Sequence, residues 1–429
     1  MKRFQESFAL VAMGVLLTAL LTACGSGSNG SSLPVSLRFV NASHSANLTV
    51  SLNGKIQFSS VAPGSNTGYA SIGSGEYTIT VISASGSLAS WTLTTGIGAG
   101  SQLTLLAYDR DGAVLASLIT EGATAPPSGY AMVQVSNISP DSGALDVFLV
   151  SPGTTTLLGL TPTFQSVAYL AQPAFTTLVA GTFDLVATAT GNSSDVRFRL
   201  PSVPIANGQI LTVGFTDTSS GALVNGVLMN QAGSVQFAAA TNARVRVVSA
   251  LPVSPASLVA ATVGSTALAS VYSPNPGSYT LVPGNTSSYS ISVAGTAIAG
   301  LPTANFATGG DFTILVYGAA ASSPAVSIFT DNNQVPTGSN ANLRLVNAAV
   351  NVAGGLTLYD DNVQVASSIG YGQASSYFGV AESANSTLEL IEPSQPPKIV
   401  TPVSIDAPQA VYTIFVIDST LTPYVIRDR

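Results

Sequence analysis

The sequence is poor in the residues that catalytic and metal sites are usually built from. Its 429 residues include one cysteine, Cys24, and one histidine, His44. A single cysteine excludes an internal disulfide framework. Zinc sites usually recruit several His or Cys ligands, so a zinc centre is excluded as well. Charged residues make up only 8 % of the chain, against about 25 % in ordinary soluble domains. The net charge is −7, and no run of Lys or Arg occurs. Nucleic acid and anionic lipid surfaces are held by clustered positive charge that releases counterions, so neither is an expected partner. The composition is not that of a disordered chain, because 46 % of the residues are apolar.

The N-terminus carries an address. Lys2 and Arg3 precede an apolar run from Phe8 to Leu21, and Leu21-Thr22-Ala23-Cys24 follows. A basic start, a short apolar core and small residues before a cleavage point make a secretory signal. The run is shorter than the ~20 residues of a spanning helix. The string resembles the lipobox of bacterial lipoproteins, which implies a signal peptide over residues 1–23 and lipidation of Cys24. The membrane would then be a partner through that lipid. Residues 25–32 (GSGSNGSS) read as a flexible tether. Gly25, in place of Asp, implies sorting to the outer membrane where a cell has one.

After the tether, one strand pattern occurs four times. LRFVNA begins at Leu37, VQVSNI at Val133, VRVVSA at Val245 and LRLVNA at Leu343. The starts are about 100 residues apart, a usual domain length. Each copy closes with an apolar strand, a polar turn and a second strand: LTLLAYDRDGAVLASL, LTVGFTDTSSGALVNGVL, FTILVYGAAASSPAVSIF and YTIFVIDSTLTPYVIR. Opening and closing signals recur in one order, which is the mark of an internal repeat. Between them lie alternating runs such as GEYTITVI at Gly75, with a period of two, and hairpin signals such as Asn53-Gly54. No segment after residue 33 shows helical periodicity. The expectation is an all-β chain of four tandem immunoglobulin-like or transthyretin-like β-sandwiches, at residues 33–124, 130–239, 241–336 and 339–429. One face of each strand should pack on the opposite sheet and the other should meet water.

Copy two contains NISPDSGALDVFLV, from Asn137 to Val150. This resembles the signature of a bacterial domain family, the domain of unknown function DUF4397. There a strand ends in a small residue, a Ser-Pro-Asp turn follows, and an apolar-Asp-Val strand comes next. The family's later Gly-x-Tyr strand is matched by Gly75-Glu76-Tyr77 and Gly181-Thr182-Phe183. Copies one, three and four lack Ser-Pro-Asp; His44, Pro255 and Val350 stand near its place. The resemblance implies tandem β-sandwich modules on surface or secreted proteins, and brings no catalytic residues and no ligand.

Candidate chemistry is sparse. A Ser-His-Asp site would have to use His44, which stands among turn residues without a nucleophile elbow, and reads as a solvated turn residue. Asp109/Asp111, Asp331/Asn332/Asn333 and Asp360/Asp361/Asn362 offer oxygen ligands for calcium. None has EF-hand spacing, and turns favour Asp and Asn anyway. Gly96 to Gly100 (GIGAG) leads into a strand rather than a helix, so it is not a phosphate loop. Tyr69, Tyr371, Tyr377 and Phe378 could form an aromatic surface, although strand aromatics more often fill cores. The sequence therefore points to a lipid-anchored, non-enzymatic envelope protein without catalytic residues, metal or other cofactor. Its modules would serve binding, adhesion or scaffolding towards an envelope protein or polysaccharide. A carbohydrate-binding array is the alternative.

Overall fold

A computed structural model describes residues 33–429, apart from 45, 219–220, 253–255, 337–339, 351, 353, 394–397, 406–408, 418–420 and 422, and apart from the side chains of 398–403. Cys24 and the expected signal peptide and tether lie outside the described residues.

Every regular element among the described residues is a β-strand, and the strands form four β-sandwiches in tandem. Each has two sheets, with strands spanning 35–120, 130–238, 242–331 and 340–427. The first sheet is built the same way in all four. The opening strand (Val35–Asn41, Tyr130–Asn137, Asn242–Ala250, Asn340–Asn347) pairs in parallel with a later one. That partner is Gln102–Arg110, Ile210–Asp217, Asp311–Tyr317 or Val411–Val416. It turns back antiparallel into the closing strand (Ala113–Thr120, Val224–Asn230, Ala325–Asp331, Pro423–Arg427). The four strands of the second sheet cover the inner face of the first, as Lys55–Val61, Leu48–Leu52, Gly75–Ser83 and Trp91–Ile97 do in sandwich one.

The hairpin signals form as their residues require. Asn53 and Gly54 both take positive φ, 49° and 76°, and Asp111-Gly112 repeats this with 49° and 75°. A turn of that hand matches the twist of the strands it joins.

Each sandwich has its own apolar core. In the opening strands Leu37 and Phe39, Val133 and Val135, Val245 and Val247, and Leu343 and Leu345 point inward. The residues between them do not meet water, contrary to the expected alternation. Val40, Leu106, Tyr108 and Ile119 of sandwich one pack on Ile138, Val227 and Met229 of sandwich two. Val248, Ala250 and Leu315 of sandwich three pack on Val346, Ala348, Phe415 and Ile417 of sandwich four. The first sheet of every sandwich is thus buried on both faces, and the sandwiches associate in two pairs through those sheets. Continuous apolar strands such as LTLLAY and FTILVY suit that double burial.

Candidate functional site

The polar side chains gathered by the fold lie between sandwiches. The site grows from one repeated position, the outward-facing residue next in line after Leu37, Val133, Val245 and Leu343. It is Arg38, Gln134, Arg246 and Arg344. The parallel register places a threonine opposite each: Thr104, Thr212, Thr313 and Thr413. A carboxylate at or just beyond the closing strand completes the set in three copies, as Glu121, Asp331 and Asp428. A tyrosine covers each of those three guanidiniums: Tyr69 over Arg38 at 4.9 Å, Tyr279 over Arg246 at 4.7 Å and Tyr377 over Arg344 at 4.7 Å. Cation–π stacking of this kind holds a guanidinium while leaving its N–H edge free to donate.

Between sandwiches three and four the sets interlock. Arg246 Nε donates to Thr313 at 2.9 Å, and Thr313 donates to Asp331 at 2.6 Å. Asp331 lies 2.7 Å from Arg344 Nη2, an ion pair rather than an aligned hydrogen bond. Arg344 donates to Thr413 at 3.2 Å, Thr413 donates to Asp428, and Arg246 donates to Asp428. The six side chains close a ring in which each sandwich supplies the carboxylate for the other's arginine. Arg246, Asp331 and Arg344 are 2 %, 0 % and 1 % exposed. Burial alone would raise the Asp331 carboxyl, but Arg344 and Arg246 overcome it and hold it below the usual carboxylate range.

Between sandwiches one and two the same frame is half filled. Arg38 donates to Thr104 at 2.7 Å and to Glu121 at 2.6 Å, both within sandwich one, and reaches its neighbour only at the Gly233 carbonyl, 3.1 Å away. In sandwich two Gln134 stands where the arginine would be. It accepts from Gln172, which also donates to Thr120 of sandwich one.

The two pairs meet at the Ser-Pro-Asp turn. Asp141, 0 % exposed, accepts two bonds from Arg110 of sandwich one, both 2.7 Å, and one from the Val335 amide of the third repeat at 2.6 Å. Arg429 donates to the Pro140 carbonyl at 3.3 Å. Beside it Ser139 donates to Asp217. The Asp217 carboxyl is pushed up to about 7 by burial and by the charge of Asp141, against the opposing pull of Ser139 and Arg110. Elsewhere the Thr218 hydroxyl donates to the Gly309 carbonyl of sandwich three at 2.9 Å. Copy two alone keeps Ser-Pro-Asp, and that turn has neighbours on three sides.

The residues singled out from the sequence are dispersed. His44 is half-exposed, its amide and ring 2.7 Å and 3.1 Å from Asp109; that hydrogen bond raises the imidazole above its ordinary value despite partial burial. Asp331 belongs to the ring, and Asn333 donates to Asp311 at 2.7 Å. Asp361 and Asn362 form a tight turn at φ 46° and 67°. Among the described residues no group of three His, Cys, Asp or Glu side chains is placed to hold a metal ion. The aromatics do not form one surface. Tyr69 and Tyr377 lie over arginines, and Tyr371 meets Tyr317 of sandwich three edge-on at 4.8 Å, though 41 % exposed. The arginines went unremarked in the sequence. Their signal was there, one Arg at the same place in three of the four opening strands, but an isolated Arg beside apolar residues also reads as a solvated position.

Residues 35–148 match the model of the family described as Domain of unknown function (DUF4397). The chain resembles the DUF4397 family. The matched stretch runs through the first sandwich and the Ser-Pro-Asp turn of the second, ending within the strand Leu145–Val150. No curated protein matches the chain. Among solved structures it is similar to "The Bacillus anthracis TIE protein" at 10 % identity, over 95 % of this chain and 78 % of that one, with a TM-score of 0.14. That score is too low to bear on fold or function.

Proposed function

We propose that the chain is a lipid-anchored, non-enzymatic protein of the cell envelope, whose four sandwiches form one binding or scaffolding head. The anchor reading rests on the basic start, the apolar run and the Leu-Thr-Ala-Cys24 string. The observation that carries the rest is the interdomain burial of the polar clusters. Arg38, Arg246 and Arg344 are each tied to threonine, carboxylate and tyrosine between or beneath the sheets, an arrangement suited to locking modules together. Loops and second-sheet faces are left to meet a partner. A head of this kind presents its surfaces in fixed relation, rather than as independent beads on a thread.

Mass spectrometry of the chain purified from the membrane of its own host tests the anchor. The expected N-terminal residue is Cys24 bearing acyl groups, with Cys24→Ser lost from the membrane fraction. An unmodified Cys24 in a soluble chain would overturn it. Turnover of an envelope polymer by the purified chain would overturn the non-enzymatic reading.

A further inference from the structure

Nine arginines follow Arg3 in the sequence, and the fold brings five of them to one place. A cleft between sandwiches two, three and four is lined by Arg197, Arg244, Arg246 and Arg427, with Asp195 and Asp428 as its carboxylates. Arg429 and Asp311 stand just behind. The lining carries four cations and two carboxylates, in a chain whose net charge is −7.

We propose that this cleft binds a small oxyanion: a phosphate, a sulfate or a carboxylate. Three N–H groups favour it. Arg246 Nη2, Arg197 Nε and Arg429 Nη1 are buried without a hydrogen-bond partner among the described residues. Arg246 is 2 % exposed and held between the ring and Tyr279. Leaving a buried charged donor unpaired is costly, and native folds rarely do so. Arg244 and Arg246 both lie 4.7 Å from the Tyr279 centroid, so one ring holds two guanidiniums. Planar guanidinium forks fit the paired oxygens of phosphates and carboxylates.

The electrostatics run the same way. Arg197 is pushed down to about 10 by burial and by the like charge of Arg244. Arg429 is also down to about 10, through burial and Arg244 against the pull of Asp141. Arginines that repel one another in a buried place are relieved by an anion. The exposed rim residues Asn192, Ser194, Asn275 and Ser278 add neutral hydrogen-bonding groups at the entrance. Arg197, Arg244, Arg246 and Arg427 are gathered in this one cleft and no basic stripe runs on from it in the sequence, so a single anionic group fits it better than an extended polyanion does.

This proposal does not depend on the lipid anchor, and the soluble portion after Cys24 tests it. Calorimetric titration at constant ionic strength would use inorganic phosphate, sulfate and glucuronate against chloride. The expected result is saturable binding at one site, with the order among the probes showing whether the natural group is a phosphate, a sulfate or a carboxylate. Arg427→Ala, at an exposed position, and Arg197→Ala should each weaken it about tenfold or more, the worth of a hydrogen bond to a charged group. Lys55→Ala, which removes a distant positive charge, should leave it unchanged. No saturable binding by any probe, or equal weakening by Lys55→Ala and Arg427→Ala, would overturn the proposal.

Discussion

Sandwiches one and two meet through the same pair of sheets as sandwiches three and four, in different ways. The second pair is reciprocal. Arg246 and Arg344 exchange carboxylates, and Val248 and Leu315 face Val346 and Phe415. The first pair is a knob and a hole. Sandwich one offers Arg38, Val40 and Leu106, whereas sandwich two has Gln134, Ser136 and Gly214 at the matching positions. A Cβ on Gly214 would lie 2.6 Å from a Leu106 methyl, so glycine is what lets Leu106 enter. Sandwich two has given up its arginine at this face and carries the junction turn instead. One repeated frame thus yields a symmetric lock and an asymmetric socket, according to what occupies three outward positions on two paired strands.

The largest change should come from opening the lock. Asp331→Ala strands Arg344 and weakens Arg246, at a cost of about 3–5 kcal/mol for a broken buried pair. In denaturant titration the circular dichroism should then show an early transition. Fluorescence of Trp91, the single tryptophan and part of sandwich one, should keep its midpoint. An equal shift in both signals would mean that the two pairs do not behave as distinct units.

Next comes pH. Asp217 at the first pair has a carboxyl raised to about 7, so the folded state holds its proton more tightly than the unfolded chain does. The stability this gives is complete below the unfolded value near 4. It is lost as pH rises to about 7, a change on the order of a few kcal/mol. The raised imidazole of His44 acts in the same sense from about 6.5 upward. The lowered carboxyl of Asp331 has the opposite sign: its contribution is present above the unfolded value and is lost in acid. The Trp91 midpoint should therefore fall between pH 5 and pH 8 (about the range spanned by these groups), and Asp217→Asn should flatten that fall. A flat wild-type profile would remove this distinction between the pairs.

Filling the socket is a smaller perturbation. Gly214→Ala should cost about 1–3 kcal/mol by overpacking against Leu106, read as an earlier Trp91 transition. A neutral result would mean that the sheets can separate freely at this point. The smallest effect belongs to Asp111→Asn, which keeps a residue tolerant of the positive φ at this turn. Asp111 is 53 % exposed and lies 3.4 Å from Arg110, so loss of its charge should change stability by less than about 0.5 kcal/mol. A larger loss would mean that Asp111 shares in the buried Arg110–Asp141 contact.

Much of the architecture was legible in the chain. The recurring LRFVNA-like strand gave four units, and Asn53-Gly54 gave a hairpin whose φ values are as that pair demands. The two-sided burial of the first sheets was legible in principle and was misread. An alternating reading assigns Arg38, Val40, Arg246 and Val248 to solvent, but LTLLAY has no polar alternation beyond one threonine, and that is the sign of a strand covered on both faces. The cationic cleft was not legible at all. Arg197, Arg244, Arg246, Arg427 and Arg429 are spread over more than half of the sequence, and linear inspection finds no basic run among them.

The sequence by itself determined the strand content, the number of sandwiches and the position of each inner face, because these follow from period-two patterning and turn residues that act over a few positions. Tertiary structure alone decided which outer faces meet, how Asp331 and Asp428 cross to the neighbouring sandwich, and where positive charge accumulates. Those depend on contacts between residues as far apart as Arg246 and Asp428, whose energies arise only once separate cores have formed and docked.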